Sequence, residues 1–363
     1  MDLISEYNGQ KVLITGHTGF KGSWLTLWLS KLGADVYGYS LPADTLPNNY
    51  SESAVREGLS GEYMADVRDI NSLERAIKEI KPDYIFHLAA QPIVRESYKH
   101  PLETFDINVM GSLNLLHCLS YLDEPCSVIM VTSDKCYKNR SQVWGYREID
   151  PMGGSDPYSA SKAAMEIAIS SYRDSFYPPE KIYNHGIRIA SVRAGNVIGG
   201  GDWAPDRIVP DSVRAFSKGK PVVVRNPHAV RPWQHVLEPL SGYIKLAAEM
   251  YNSDDPGYCS AWNFGPYISD ECSVSVLMDM FCKEWGNGIW ECGSSEDDPA
   301  EASVLRLSIE KAVYKLKWHP VWNLHETVRR TIEYYKKYYS NDYSGCMIDT
   351  CYNDINDYMR MMK

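Results

Sequence analysis

Lys11-Val12-Leu13-Ile14-Thr15-Gly16-His17-Thr18-Gly19-Phe20-Lys21-Gly22 is a short apolar strand running into a glycine-rich turn. Glycines in such a turn let the backbone approach a pyrophosphate, which then rests on the N-terminus of the next helix. Gly16, His17, Thr18, Gly19, Phe20 and Gly22 are therefore candidate dinucleotide-binding residues. Far downstream, Tyr158-Ser159-Ala160-Ser161-Lys162 sets a tyrosine and a lysine four residues apart, on one face of a helix. A phenol with a free pKa near ~10 is a poor base at neutral pH. A nearby ammonium and a nicotinamide cation would stabilise its phenolate and lower that value. Alone, Tyr-x-x-x-Lys is most often an ordinary surface pair. Behind this turn, it describes a redox site with its own proton-transfer couple.

Outward from these motifs, strand-length apolar stretches recur at Lys11–Thr15, Asp35–Tyr39, Tyr84–Ala89, Ser127–Ser133 and Gly186–Arg193. Several are apolar throughout, as in strands buried on both faces of a parallel sheet. Helical patterns separate them at Gly22–Leu32, Ile70–Ile80, Val109–Leu122 and Pro157–Arg173. This alternation predicts an α/β Rossmann-type, doubly wound parallel sheet, with its ligand at the carboxyl ends of the strands. After about residue 195 the texture turns to glycine, proline and aspartate, then to helices at Val236–Tyr251, Val274–Trp285 and Leu324–Tyr338. The expected division is a dinucleotide domain over 1–195 and a smaller substrate-binding lobe over 196–339. Some of its segments are free to cross back to the sheet. Residues 340–363 read as an appended tail.

Strand ends supply the remaining candidates. Thr132 and Ser133 are placed to hydrogen-bond a reacting hydroxyl. Asp134 and Lys135 follow, although Tyr158 already provides acid/base chemistry for a simple hydride transfer. They either cap the strand and pair with each other, or serve a second proton transfer such as an elimination; the residues alone leave both open. Leu88, Ala89 and Ala90 follow another strand and are small enough at the alanines for a cofactor to approach, with Gln91 beyond. Asp66, beside Val67, is suited to the adenine amino group, whereas Asp69 reads as a helix cap. Ser40 closes the second strand, and no carboxylate or arginine stands there to choose between NAD and NADP. Asn108 caps a helix or fixes the neighbouring strand. Asn196, Arg207, Arg231 and His235 are the candidates for a phosphorylated substrate, because guanidinium forks match diphosphates. Trp262-Asn263-Phe264-Gly265 reads as core and turn.

The 363 residues suffice for one large α/β domain and a lobe. A net charge of −10 argues against nucleic acid or an anionic membrane as the main partner. Nine scattered cysteines without a Cys-x-x-Cys pair suggest reduced thiols, with neither a disulfide framework nor a metal site. No apolar run reaches the roughly 18 residues of a spanning helix, and the amino terminus lacks a secretory-signal pattern. A cytoplasmic protein is expected.

The Gly-x-x-Gly-x-x-Gly spacing, Thr132 to Tyr137, Asp156-Pro157-Tyr158 to Lys162 and Arg231 to Leu240 together resemble the extended short-chain dehydrogenase/reductase family, over about residues 8–338. Within it they are similar to the nucleotide-sugar 4,6-dehydratases. Where relatives acting on dTDP-sugars carry Asp-Glu, Asp134-Lys135 is the mark of the CDP-sugar branch. The resemblance implies NAD as cofactor and CDP-glucose as the favoured substrate. It implies C4 oxidation with Tyr158 as base, C5/C6 elimination of water by Lys135 and Asp134, and hydride return to C6. It also implies a homo-oligomer, dimer or tetramer. Another nucleotide-sugar dehydratase, a 4-epimerase or 4-dehydrogenase, and a non-catalytic NAD-sensing protein are the competing readings. Ala300-Glu301-Ala302 stands where this family tends to carry His-Glu-Ala.

Overall fold

The computed structural model describes residues 2–293, 305–343 and 345–362. Ala300-Glu301-Ala302 lies outside them. Strands β1 (Lys11–Thr15), β2 (Asp35–Ser40), β3 (Gly61–Met64), β4 (Tyr84–His87), β5 (Cys126–Val131) and β6 (Ile187–Ala194) form most of the central sheet. β7 (Val222–Val224) stands apart and pairs with Trp290–Cys292, whereas β8 (Ala261–Phe264) returns to the sheet beside β6. The seven strands run parallel in the order β8-β6-β5-β4-β1-β2-β3. Strand order reverses between β1 and β4, and a doubly wound sheet opens its ligand crevice at such a point.

β4, β5 and β6 are buried along their whole length, as expected of strands covered on both faces, although β6 also buries Arg188, Ser191 and Arg193. The main helices are α1 (Phe20–Lys31), α2 (Ile70–Ile80), α3 (Gly111–Cys118), α4 (Pro157–Phe176), α5 (Ile208–Phe216), α6 (Leu237–Asn252), α7 (Val274–Trp285), α8 (Leu324–Tyr338) and α9 (Ile348–Met361). Asp69 caps α2, its carboxylate accepting from the Asn71 and Ser72 amides. The helix expected over 109–122 is interrupted: a wide turn at Asp106–Met110 precedes α3 and a tight one at Leu119–Tyr121 follows it.

Two strands of the central sheet were not legible in advance. β3 is a half-exposed edge strand, Gly61-Glu62-Tyr63-Met64, without an apolar run. β8 contains the Trp262-Asn263-Phe264 stretch expected as core and turn; it is core, but as a strand.

Residues 340–363 also differ from expectation, because they contain α9, a packed helix rather than an appended tail. α1 is buried on nearly every side from Gly22 to Leu29, including Trp24 and Trp28, and a helix apolar all round needs cover on both faces. α9 supplies part of it: the Tyr358 ring meets Trp28 and Trp322 edge-on at 5.6 and 5.1 Å. Arg330 of α8 binds Asp354 and Asp357, each at 2.8 Å.

At the bottom of this contact lies the Glu238 carboxylate. It accepts from Tyr358 Oη at 2.6 Å and from the Val321 and Trp322 amides at 3.0 and 2.7 Å. Burial pushes its carboxyl from 4.5 up to about 7, more than these donors pull it down. A raised carboxyl pKa favours the folded state below 4.5, and that contribution is lost as pH rises through 7. Its ceiling is about 3 kcal/mol. Glu238→Gln should therefore remove a pH-dependent loss of stability. Thermal unfolding at pH 6 and pH 8 should show the wild type falling relative to the variant, and parallel profiles would contradict this account.

Candidate functional site

A cleft of about 1360 Å³ opens at the carboxyl ends of β1, β2, β4, β5 and β6 and is roofed by residues after 195. At one end, Gly16 takes φ +77°, and a Cβ there would stand 2.7 Å from the Ala89 amide nitrogen. A Cβ on Gly22 would stand 2.1 Å from the Gly16 carbonyl oxygen. Only glycine fits either position, so β1, α1 and the loop after β4 close to backbone contact. The bare turn at the start of α1 fits a dinucleotide diphosphate. Gly16, Thr18, Gly19, Phe20, Gly22, Ser40, Asp66, Val67, Leu88, Ala89 and Ala90 all line the cleft. Thr18 ties the turn to β2 through Ser40 Oγ at 2.8 Å and the Leu41 carbonyl at 2.9 Å. Asp66 is held by Arg68 at 2.6 Å, a bond that keeps its carboxyl below the usual range.

His17 is a correction. Its ring is fully buried against Gly38, with Nε2 2.8 Å from Glu62 Oε1, and its side chain turns under β2 and β3 instead of lining the cleft. His235 is another. Parallel pairing of Gln234–His235 with Val197–Ile198 sends its ring into the core between Trp24 and Trp322, away from any substrate. Burial there pushes its imidazole down to about 3.

At the centre, α4 starts at Pro157 under the Asp156 cap, which accepts from the Ser159 amide at 2.9 Å. Tyr158 and Lys162 follow on the cleft side, 8% and 3% exposed. Burial raises the Tyr158 phenol, with Lys135 and the Ser133 hydroxyl opposing. Lys162 donates to the Val131 carbonyl at 3.3 Å, and burial together with Lys21 pushes its ammonium down to about 8. Thr132 turns its hydroxyl to Glu166 at 2.5 Å, and is thereby committed to a buried network. Ser133 donates to Asp134 Oδ1 at 3.0 Å and accepts from the Lys135 amide. Asp134 is 1% exposed, with Lys135 Nζ 3.7 Å from Oδ1 and no hydrogen-bond partner at Oδ2 among the described residues. Strand capping and mutual pairing therefore account for only one of its two oxygens.

Beyond the centre, Asn196, Arg207 and Arg231 line the cleft, Arg207 with one nitrogen 3.0 Å from Asp202. The Asn196 side-chain oxygen is buried without a partner among the described residues. Gln91 lines the cleft too, but its amide is spent within its own loop, on Thr104 and the Ile93 amide. Asn108 fixes that loop, accepting from the Gln91 amide and donating to Ser161.

Three site residues escaped sequence reading. Lys21 lines the cleft, and burial and Arg207 push it down to about 8; it lies inside the glycine-rich motif but was given no role. Glu166 and Arg193 form a buried ion pair with two 2.8 Å bonds. The i, i+4, i+8 spacing of Tyr158, Lys162 and Glu166 was the available signal. Among the described residues no cluster suited to a metal occurs.

The family model for GDP-mannose 4,6 dehydratase matches residues 13–331. CDP-glucose 4,6-dehydratase of Salmonella typhimurium is 45% identical over 353 residues, 97% of each chain. The dTDP-glucose 4,6-dehydratase of Bacillus anthracis, solved with NAD, superposes with a TM-score of 0.73 at 19% identity, covering 91% of this chain and 97% of that one. UDP-glucose 4-epimerase of Thermus thermophilus, also solved with NAD, gives 0.75 at 24% identity, covering 90% and 99%. This chain belongs to the GDP-mannose 4,6 dehydratase family of extended short-chain dehydrogenase/reductases.

Proposed function

We propose that this protein is a hydro-lyase that converts CDP-glucose to CDP-4-dehydro-6-deoxyglucose with NAD as its resident cofactor. The observation that carries the reading is the buried Asp134 carboxylate, one oxygen unpartnered, beside Lys135 and in the same cleft as Tyr158. A 4-epimerase has no use for a second acid and base at C5 and C6. The 45% identity to a CDP-glucose 4,6-dehydratase supports the same choice.

Gly16, Thr18, Gly19, Ser40, Asp66 and Ala89 would hold the cofactor, which when bound supplies a reversible hydride acceptor, so no external oxidant or reductant is consumed. Tyr158 takes the proton of the C4 hydroxyl, its phenolate favoured by Lys135. The resulting C4 ketone acidifies the C5 proton. Lys135, once its ammonium proton has passed to the Asp134 carboxylate 3.7 Å away, removes the C5 proton, while the protonated Asp134 delivers its proton to the departing C6 oxygen, and water leaves. Arg207 and Arg231 hold the diphosphate, and Asn196 meets the sugar-nucleotide between them and the reacting carbons. Lys162 keeps positive charge under the site from its seat on the Val131 carbonyl.

The nine cysteines are all free, in keeping with a reducing, cytoplasmic setting. No helix among the described residues is long and apolar enough to cross a membrane. Tyr98, Leu102, Phe105, Met110 and Ile167 leave apolar surface exposed around α4 and the segment before α3, the face on which we place a homo-oligomer contact.

Incubation with CDP-glucose should give a product lighter by one water, read by mass spectrometry, without net NADH. An isomerised sugar or stoichiometric NADH would defeat the dehydratase reading. Tyr158→Phe should retain NAD binding and lose turnover by about 10²–10⁴-fold; near-normal turnover would remove Tyr158 from the mechanism. Asp134→Asn should still oxidise C4, seen as reduced cofactor on mixing, yet release no water. Unchanged product formation by that variant would return Asp134 to a capping role.

A further inference from the structure

The order of parts in a nucleotide sugar locates the base. With the reacting carbons at Tyr158 and the diphosphate at Arg207 and Arg231, the ribose and base extend to the far end of the cleft. That end is lined by α5 and by β7 with the residues after it, Arg225 and Asn226. The β7 side chains Val222 and Val224 are buried apolar groups, suited to the surroundings of a flat ring. Amid a region that must accept an anionic substrate stands a carboxylate, Asp211. It lies four residues after Arg207, about 6 Å further along the helix axis, and it too lines the cleft.

Asp211 is held from one side only. Arg214 Nη2 donates to its Oδ1 at 2.6 Å, and Arg214 is itself anchored by the Trp203 carbonyl at 3.0 Å. Arg214 is the one hydrogen-bond partner of the Asp211 side chain among the described residues. Its second oxygen is left as an acceptor with no donor of its own. Burial raises its carboxyl even beside Arg214, while the side chain stays about two-fifths exposed and open to a ligand. Cytosine presents an amino donor at the ring position where uracil and thymine present a carbonyl acceptor. A carboxylate accepts from the first and repels the second.

We propose that Asp211 is a specificity-determining residue that accepts a hydrogen bond from the exocyclic amine of cytosine and disfavours uracil. This rests on the reading of the substrate as a CDP-sugar. Arg214 is the positioning residue that sets the carboxylate's orientation. A site built to bond one hydrogen-bonding pattern leaves a buried polar group unpaired when the pattern changes, and this discriminates far better than size alone. For a single good base contact the expected discrimination is about 5–150-fold.

The test compares CDP-glucose with UDP-glucose on the full-length, NAD-loaded protein, as kcat/KM for wild type, Asp211→Asn and Asp211→Ala. The dissociation constants of CDP and UDP, measured by calorimetry, give a readout that needs no turnover. The wild type should prefer the cytidine ligands in both measurements, and both variants should lower the CDP-to-UDP ratio about tenfold or more. Equal losses on both nucleotides, or an unchanged ratio, would overturn the assignment and leave Asp211 as a partner of Arg214 only. A wild type that dehydrates a uridine or guanosine sugar in preference would instead overturn the substrate reading itself. Thermal unfolding of each variant separates a damaged fold from lost selectivity.

Discussion

The buried ion pair between Glu166 and Arg193 is the joint on which the site is built. Glu166 sits one turn beyond Lys162 on α4. Its carboxylate accepts from Arg193 of β6, from Thr132 at the end of β5 and from Ser191 at 2.7 Å. Burial would push this carboxyl up, and the charge and bonds of Arg193 outweigh that and hold it below the usual range. Arg193 reaches on to Tyr137 at 2.6 Å, and Tyr137 to Asn263 of β8 at 2.8 Å. One network thus joins the helix carrying Tyr158 and Lys162 to the strand end carrying Asp134 and Lys135. Desolvating two charges is costly, and such a pair persists only when nearly every lone pair and proton is satisfied. Here that condition sets the register of α4 against the sheet.

A second constraint is the backbone contact at Gly16, Gly22 and Ala89. It brings the first strand, the first helix and the loop after β4 together without side chains between them. α1 is then forced deep into the molecule, and its tryptophans need cover on the side away from the sheet. That cover comes from the far end of the sequence, where Tyr358 seals Trp28 and reaches Glu238. The cofactor turn and the last helix are therefore parts of one packing problem. Their contact brings residues more than three hundred positions apart into the same core.

The cleft concentrates cations around a phenol. Lys21, Lys135, Lys162 and Arg207 line the cleft with Tyr158, and burial, with repulsion from neighbouring cations, lowers Lys21 and Lys162 to about 8. Tyr158 itself is raised by burial, with Lys135, the Ser133 hydroxyl and Arg207 opposing. The lysine four residues on, obvious in the sequence, acts from a seat on the Val131 carbonyl. Lys135, at the end of β5, adds a cation that opposes the rise of the phenol.

Periodicity and glycine spacing by themselves determined the doubly wound sheet, the strand ends at the ligand crevice and the pairing of Tyr158 with Lys162. These are local properties: a buried parallel strand is apolar throughout, and a helix brings residues four apart onto one face. Sequence neighbourhood placed His17 with the cofactor turn and His235 with the arginines, but packing buries the first ring against Gly38 and strand pairing turns the second into the core. Local chemistry also passed over β3, an edge strand without an apolar run, and read α9 as a tail, since a polar segment folds as a helix only when a distant surface needs covering. Tertiary structure alone decided that Glu166 would meet Arg193 and that Lys21 and Asp211 would line the cleft. Each of these depends on long-range closure of the chain, whose energy lies in burial and pairing between segments that share no sequence neighbourhood.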